Sequence, residues 1–406
     1  MRAMGAALAE YLPLDAAAIL TQAGTELATT NPERDFDTDN VGPTGFREPL
    51  DVVLNGLSGD AGLSAFGHVS AHTLLVQLAK NRILLANLLA RHPEILDIPI
   101  ERPIIIVGQP RTGTTHLHNL LAADPALRSL PYWESLQPVP VPSEVGIEPD
   151  PRRQRCEFGV GFVNAAMPEF RRMHEMTVDH VHEEIQLLAM DYSTMLFESM
   201  VPMPSVRDWY IGHDQTPHYA YMKTVLQAMT FLRGGSRWLL KSPQHLEQLA
   251  ALNAVFPDAT VLITHRDPVP VTISACTMLS YTQRMSRDEV DLVGMGEYWS
   301  GRNLMMLRSY QRDRSLLPAG RALDIRFHEF MADDLGTLEQ IYELAGQPYD
   351  QVAREAHRAY MASHQRDRFG KVIYEPERFG LDLCGLRREF ADYTAQFGVI
   401  EEWAAP

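Results

Sequence analysis

Short apolar runs alternate with helical patterns from about residue 100 onwards. Runs typical of buried strands lie at 104–107, 237–241, 260–264 and 322–327. Segments in which apolar residues recur every three or four positions predict helices at 115–123, 244–255, 268–279, 297–314 and 335–344. Strands that alternate with helices indicate a parallel sheet with right-handed crossovers. We therefore expect an α/β fold with three layers, α/β/α, around a central parallel sheet.

The chain before the first strand has a different pattern. Helices are predicted at 15–27 and 70–92, and a polar stretch with Pro and Gly at 31–49 predicts a linker between them. Residues 1–100 are expected to form a helical cap packed on the sheet. The α/β domain would then span residues 101–380 and leave a C-terminal tail at 381–406.

A helical insertion is predicted inside this domain, at about 150–233. Its helices are expected at 152–166, 181–192 and 217–232, with an irregular aromatic segment at 202–213. Insertions of this kind often build a substrate pocket.

Composition narrows the class of partner. Lys and Arg number 36 against 52 Asp and Glu, a net charge of −16, whereas nucleic acid is bound by a broad basic surface. The sequence contains no run of about 18 apolar residues, so stable membrane insertion is not expected. Acidic residues occur too close to the N-terminus for a secretory signal. The cysteines, Cys156, Cys276 and Cys384, are odd in number and far apart, which fits neither a disulfide framework nor a zinc site. A cytoplasmic protein without a nucleic-acid partner is expected.

Histidines and carboxylates also occur in two close sets, at His116 and His118 and at His180, His182, Glu183 and Glu184. A spacing of two puts side chains on different faces of a helix, so a shared metal is not predicted.

The segment after the first strand predicts an anion site. It reads Gly108-Gln109-Pro110-Arg111-Thr112-Gly113-Thr114-Thr115, and a helical pattern follows. A strand, a glycine turn and a helix start aim backbone N–H groups and the positive end of the helix dipole at one point. The two glycines have the spacing of the P-loop, GxxxxGK[ST], but threonines replace its last two residues and Arg111 supplies the cation instead. The segment is therefore predicted to bind phosphate or sulfate. The alternative is a plain turn with a capping threonine and no ligand.

Two more polar clusters follow the next strands, and the carboxyl ends of parallel strands are where α/β sheets bind ligands. The first is 241–245, with Lys241 and His245, and the second is 265–268, with Arg266. Ser274 lies eight residues after Arg266, so both side chains could reach a second phosphate. The alternative is a helix cap at Asp267 with Arg266 in a surface salt bridge.

The three motifs GQPRTGTT, WLLKSPQHL and VLITHRDPVPVTISAC resemble the sulfotransferases that use 3'-phosphoadenosine 5'-phosphosulfate (PAPS), and particularly a bacterial branch with a long helical N-terminus. The resemblance covers roughly residues 100–380. It implies a P-loop-like α/β fold, PAPS as the sulfate donor and no metal. The missing P-loop lysine then has a reason, because this donor carries no γ-phosphate.

The resemblance also implies donor-binding residues. The 5' side of the donor would be held by Arg111, Thr112, Gly113, Thr114 and Thr115. The 3'-phosphate would be held by Arg266 and Ser274. A late family segment that closes over the 3' side could correspond to 366–371, with Arg368 and Lys371, although an exposed charged loop explains that segment equally well.

Sulfuryl transfer needs a cation at the departing oxygen and a base for the acceptor. Lys241 is the candidate for the departing oxygen, with the sulfuryl group between it and Arg111. His245 is the first candidate base, Glu134 is the rival, and third choices are His180, His182, Glu183 and Glu184.

The sequence therefore predicts a sulfotransferase that modifies a hydroxyl of a small hydrophobic acceptor, such as a lipid, sterol, phenol or polyketide-like alcohol. Met, Phe, Tyr and Trp residues in the insertion suit such an acceptor, and they suit an ordinary core as well. The alternatives are a P-loop kinase or ATPase, for which only Asp267 could hold the metal, and a nucleotide-binding module whose active site has decayed. The oligomeric state stays open.

Overall fold

A four-stranded parallel sheet forms the centre of the computed structural model, which describes residues 11–28, 44–365 and 368–402. The strands are β1 (Ile104–Val107), β2 (Leu239–Lys241), β3 (Thr260–His265) and β4 (Ala322–Arg326), in the order β2-β1-β3-β4. Ile106 pairs with Lys241, and Val107 pairs with Ile263. The predicted parallel α/β sheet is thus confirmed, and the carboxyl ends of the strands lie at one edge.

Helices surround the sheet. In chain order they are α1 (Ala16–Glu26), α2 (Arg47–Gly59), α3 (Ala65–Arg91), α4 (Thr114–Ala122), α5 (Tyr132–Leu136), α6 (Pro151–Ala166), α7 (Phe170–Met173), α8 (Ile185–Ala189), α9 (Leu196–Met200), α10 (Pro204–Gly212), α11 (Thr216–Arg233), α12 (Leu249–Val255), α13 (Pro268–Gln283), α14 (Leu292–Asp313), α15 (Phe327–Ala332), α16 (Asp334–Ala345), α17 (Gln351–Ser363) and α18 (Leu383–Phe397).

Apolar side chains cover both faces of the sheet. On one face, Ile105 and Val107 belong to a large cluster that includes Leu75 and Ile83 of the long helix α3. On the other face, Ile104 and Ile106 pack in a cluster with helices α4, α15 and α16. The first cluster also contains Phe390 and Tyr393 of α18, so the N-terminal and C-terminal helices share one core with β1.

Several local predictions were wrong. The aromatic segment at 202–213 is mostly helical, since α10 starts with Pro204 in its first turn, a position where proline is favoured. The helix predicted at 181–192 is shorter in the structure and spans Ile185–Ala189. Its predicted first residues are not helical, because the His182 N–H donates to the Leu130 carbonyl oxygen at 2.7 Å. The helix predicted at 244–255 is a 3₁₀ turn, Pro243–Glu247, followed by α12. Most of the predicted linker at 31–49 lies outside the described residues, and its last three residues belong to α2.

Within the part of the chain that the structure describes, no helix is both long and apolar enough to cross a membrane. In those residues, too, no three His, Cys, Asp or Glu side chains gather in a group that could hold a metal ion. Cys156, Cys276 and Cys384 are free thiols.

Candidate active site

The loop after β1 turns tightly into helix α4. A Cβ at Gly108 would collide with the Thr264 hydroxyl and lie 2.9 Å from Cγ2 of Thr114, so only glycine fits there. Arg111 and Gly113 both have left-handed backbone, with φ of 74° and 89°. That conformation costs a non-glycine residue about 1–2 kcal/mol. The turn brings the first N–H groups of α4, which have no intrahelical acceptors, to the concave side of the loop.

The Thr112 side chain stabilises this loop through two hydroxyl contacts. Its hydroxyl donates to the Gln109 carbonyl oxygen at 2.7 Å, and it also lies 2.7 Å from the Thr264 hydroxyl on β3. Thr112 is buried, whereas Thr115 is exposed at the start of α4. The two threonines therefore occupy different surroundings, one inside the loop and one on its open side.

Arg111 joins the loop to the β3–α13 unit. Its Nε donates to the Ser274 hydroxyl at 3.0 Å, and its Nη1 donates to the Met173 carbonyl oxygen at 2.6 Å. The Arg111 carbonyl oxygen accepts a hydrogen bond from Nη1 of Arg266 at 2.7 Å. The structure thus brings together Arg111, Arg266 and Ser274, which the sequence predicted to hold the two ends of one ligand.

Arg266 is also paired with a carboxylate from the C-terminal segment. Its Nε and Nη2 donate to the two carboxylate oxygens of Glu402 at 2.6 and 2.7 Å. The guanidinium lies over the Phe327 ring, 4.0 Å from its centroid. Glu402 therefore occupies the fork that an oxyanion would occupy.

Two cavities meet at this loop. One has a volume of about 480 Å³ and is lined by Arg111, Gly113, Thr114, Thr115, His116, Arg266, Phe327, Met331, Asp334, Met361, His364 and Gln365. The second, of about 440 Å³, shares Arg111 and Thr115 with the first and extends to His174, His180 and Arg368. Five of the predicted donor-binding residues line the first cavity. Thr112 and Ser274 are not among its lining residues.

The late charged segment divides between two places. Arg368 forms an ion pair with Glu175 at the second cavity. Lys371 lines a separate cavity of about 270 Å³ beside Arg172 and Tyr281. Arg366 and Asp367, which the sequence grouped with them, lie outside the described residues.

Lys241 ends strand β2 beside β1. Its side chain is 3% exposed, and its Nζ forms an ion pair with the Glu183 carboxylate, which is 20% exposed. Its main-chain N–H donates to Oε2 of Glu184 at 2.7 Å. The two adjacent glutamates thus hold the side chain and the backbone of the same lysine.

His245 is enclosed. Its Nε2 lies 2.5 Å from Oε1 of Glu184, its Nδ1 lies 2.7 Å from the Tyr219 hydroxyl, and its side chain has no exposed surface. Both ring nitrogens are therefore engaged with buried neighbours.

Glu134 is likewise held by neighbours. Nη2 of Arg128 donates to both of its carboxylate oxygens at 2.8 and 2.7 Å, and Nη1 of Arg233 donates to Oε2 at 2.9 Å. The Glu134 side chain is 1% exposed. Two guanidinium groups thus neutralise this carboxylate away from the loop cavities, whose lining residues do not include it.

Four histidines, His118, His174, His180 and His182, feel the charge of Lys241. Burial, together with the nearby His180 ring and the positive charges of Lys241 and Arg111, lowers the pKa of His174 to about 3. Burial, together with the Lys241 charge, lowers the pKa of His180 to about 4 against the opposing effect of its backbone hydrogen bond. Burial also holds the pKa values of His118 and His182 well below their usual range. All four imidazoles are therefore expected to be neutral near pH 7.

The positive charges of Lys241 and Arg111 both lower the pKa of His174. A sequence model of the sulfotransferase family matches residues 103–351, more than half of the chain, and so includes this loop, Lys241 and Arg266. This chain belongs to the sulfotransferase family.

Two solved structures resemble this sulfotransferase over nearly its whole length. STF1 from Mycobacterium tuberculosis is 28% identical with a TM-score of 0.80, covering 93% of this chain and 98% of STF1. STF9 from Mycobacterium avium is 26% identical with a TM-score of 0.82, covering 97% of this chain and 99% of STF9. The likeness therefore extends into the N-terminal helices, beyond the region that the sequence motifs covered.

Sequence comparison adds a named relative. The omega-hydroxy-beta-dihydromenaquinone-9 sulfotransferases Stf3 of Mycobacterium bovis and Mycobacterium tuberculosis are each 24% identical to this sulfotransferase over 277 residues, 64% of this chain and 67% of the relative. The predictions of a sulfotransferase and of its bacterial branch are confirmed.

Sequence reasoning ranked some residues of this site low or missed them. Glu183 was only a third choice, although the acidic doublet beside two histidines was a visible signal. Glu402 and His174 were not considered, because nothing in their local sequence links them to Arg266 or to Lys241. Both contacts join segments that are far apart in the chain.

Proposed function

We propose that this sulfotransferase takes the sulfuryl group from PAPS and transfers it to a hydroxyl of a small hydrophobic acceptor. The donor assignment is supported by the hydrogen bonds that link Arg111 directly to Ser274 and to Arg266, and by the position of Arg111 and Arg266 on the wall of one cavity. PAPS carries anionic groups at both its 5' and 3' ends, and this link supplies a cation for each. Guanidinium groups suit such oxyanions because they donate in a fixed fork.

The residues present fit this donor. The N–H groups at the start of α4, with Arg111 and Thr115, would hold the 5'-phosphosulfate. Arg266 and Ser274 would hold the 3'-phosphate, and Arg368 faces the adjoining cavity with a further positive charge. The buried Thr112 would act by bracing the loop, since its hydroxyl is engaged with Gln109 and Thr264.

The transfer step requires one bond to form and one to break at sulfur. The acceptor oxygen bonds to sulfur as the bond from sulfur to the bridging oxygen of the donor breaks, and the acceptor proton passes to a base. Lys241 would stabilise the negative charge that develops on the departing oxygen. We assign the base to Glu183, because its carboxylate is partly exposed and contacts Lys241, whereas His245 and Glu134 are enclosed by other partners.

A hydrophobic alcohol is the acceptor class that we favour. The name of the Stf3 relatives describes a hydroxylated menaquinone derivative as their acceptor. This chain is only 24% identical to them. We therefore use the relatives to support a hydrophobic alcohol as the class of acceptor, and we do not assign the individual molecule. Sulfate transfer from labelled PAPS to a panel of lipid, sterol and phenol alcohols tests the class.

Replacing Arg266 by alanine tests the donor site. We expect Arg266→Ala to weaken binding of 3'-phosphoadenosine 5'-phosphate (PAP), the donor product, by about 10–100-fold, because a hydrogen-bonded charge contact contributes about 1.5–3 kcal/mol. Isothermal titration calorimetry measures the change. Arg326→Ala is the matched control, since Arg326 ends the neighbouring strand β4 and its side chain pairs with Glu329 and the Phe397 carbonyl oxygen. Equal PAP affinities of Arg266→Ala and the native protein would contradict the proposed 3'-phosphate site, and absence of PAP binding by the native protein would contradict PAPS as donor.

The Glu402 carboxylate competes with the donor for Arg266. We expect Glu402→Gln to strengthen PAP binding by about 2–5-fold, because a partly exposed ion pair contributes about 1 kcal/mol or less and must be broken when phosphate binds. The gain should be absent in the Arg266→Ala background. A PAP affinity that falls in Glu402→Gln would show instead that Glu402 supports the donor site.

A further inference from the structure

A fourth cavity lies between helices α5, α6 and α7. Its volume is about 390 Å³, within the range of sites that bind small molecules. The apolar part of its lining comprises Tyr132, Trp133, Leu136, Cys156, Val160, Val163, Phe170 and Met176.

The polar residues around this cavity are engaged with protein partners. Arg152 is paired with Asp150, and its guanidinium lies 4.7 Å from the centroid of a Trp133 ring. Arg155 is paired with Glu144 and also donates to Gln137. An apolar ligand would therefore enter without leaving either arginine unpaired.

Tyr132 connects the cavity to the reaction centre. Its ring centroid lies 4.8 Å from that of His180 and 4.6 Å from that of His182, the residue before Glu183. Its N–H donates to the His180 carbonyl oxygen at 3.1 Å. The Tyr132 ring thus lines the apolar cavity and also packs against the His180 and His182 rings.

The segment at 170–180 forms the rest of this wall. Phe170 and Met176 line the apolar cavity, while His174, Thr177 and His180 line the cavity that reaches Arg111. A molecule whose chain occupies the apolar side and whose hydroxyl lies at the Tyr132 end would have that hydroxyl on the side of the cavity nearest His180 and His182.

We propose that this cavity binds the hydrocarbon chain of the acceptor, which is then an elongated alcohol with its hydroxyl at the Tyr132 end. The inference rests on the proposed sulfuryl transfer and adds the place and shape of the acceptor. Burial of one methylene contributes about 0.8 kcal/mol, so affinity should rise about fourfold for each methylene until the cavity is full.

Helix α6 offers a matched pair of positions for a test. Gly159 lines the cavity, whereas Gly161 is two residues further on and is not among its lining residues. At both glycines an added Cβ would meet nothing within 4 Å, so a larger side chain can be placed at either one. A phenylalanine at 159 would fill the cavity mouth, and one at 161 would not.

The experiment uses 11-bromo-1-undecanol, because bromine quenches the fluorescence of a nearby tryptophan and Trp133 lines the cavity. We expect quenching in the native protein and in Gly161→Phe, at least tenfold weaker binding in Gly159→Phe and in the smaller variant Gly159→Leu, and loss of most quenching in Trp133→Phe. A series of unbranched primary alcohols that compete with the probe should show the rise in affinity with chain length.

Titration with PAP, followed by calorimetry, separates the two proposals. Native PAP affinity in both Gly159 variants shows that they are folded, and weaker binding of the bromoalcohol there supports the acceptor site. Unchanged bromoalcohol binding in the Gly159 variants overturns the acceptor site while PAPS remains the proposed donor. Failure of the native protein to bind PAP overturns the donor proposal.

Discussion

Replacing Lys241 by methionine is expected to lower kcat by about 10²–10³-fold, the usual effect of removing one group that stabilises developing negative charge. The charge on the departing oxygen appears only during transfer, so the loss should fall on the chemical step. PAP affinity should change far less, because Arg111, Arg266 and the start of α4 remain. The main-chain N–H of Lys241 still donates to Glu184 in the variant, which preserves the local backbone. Steady-state sulfate transfer with labelled PAPS, together with calorimetry of PAP binding, measures both quantities.

The control for Lys241→Met is Lys80→Met. Lys80 is also ion-paired, with Glu26 at 2.9 Å, but it lies on helix α3 and pairs with α1. It should leave kcat unchanged. A Lys241→Met enzyme that keeps kcat within threefold of the native value would remove Lys241 from the transfer step.

Replacing Glu183 by glutamine is expected to lower kcat by about 10²–10⁴-fold, the range for loss of a general base. Glutamine keeps the size of the side chain but cannot accept the acceptor proton. It also releases Lys241 from its ion pair, so donor binding should be retained or slightly stronger. Transfer assays and PAP calorimetry on the same preparation distinguish the two effects.

Two further variants separate proton transfer from structural support. Adding formate to Glu183→Ala should restore part of the activity, because a small carboxylate can enter the space left by the side chain. The matched change Glu184→Gln should mainly reduce stability, by about 1–3 kcal/mol, since that buried carboxylate accepts from Lys241 and contacts His245. Thermal unfolding measures this loss. If Glu183→Gln retains near-native kcat, proton removal must be assigned elsewhere, and the His180–His182 pair becomes the first group to test.

The sheet and the three polar segments at its carboxyl edge could be predicted from sequence because each depends on local pattern. A continuous apolar run such as Ile104–Val107 is typical of a parallel strand whose two faces are both covered by helices. Once the strands are parallel, their carboxyl ends share an edge, so the loop at Gly108, Lys241 and Arg266 had to be neighbours. The sequence also showed that the neighbouring strand ends carry cations, Lys241 and Arg266, beside a loop that lacks the P-loop lysine.

The helical insertion was predicted less well. Helix α10 was missed because proline and aromatic residues suggested irregular structure, although proline is favoured in a first helical turn. The helix at 181–192 was predicted too long. The apolar residues there do have helical spacing, but the residues near His182 are hydrogen-bonded to the chain near Leu130. Pairing with a distant segment overrides local helix preference.

The sequence by itself determined the α/β fold and the glycine turn after β1, and it placed the cations Arg111, Lys241 and Arg266 at the carboxyl edge of the sheet. Only the tertiary structure decided which acidic and neutral groups face those cations, including Glu183 at Lys241, Glu402 at Arg266 and the imidazoles near His174. The physical reason is that backbone pattern acts over a few residues, whereas the partner and the burial of a charged side chain depend on segments brought together only by packing.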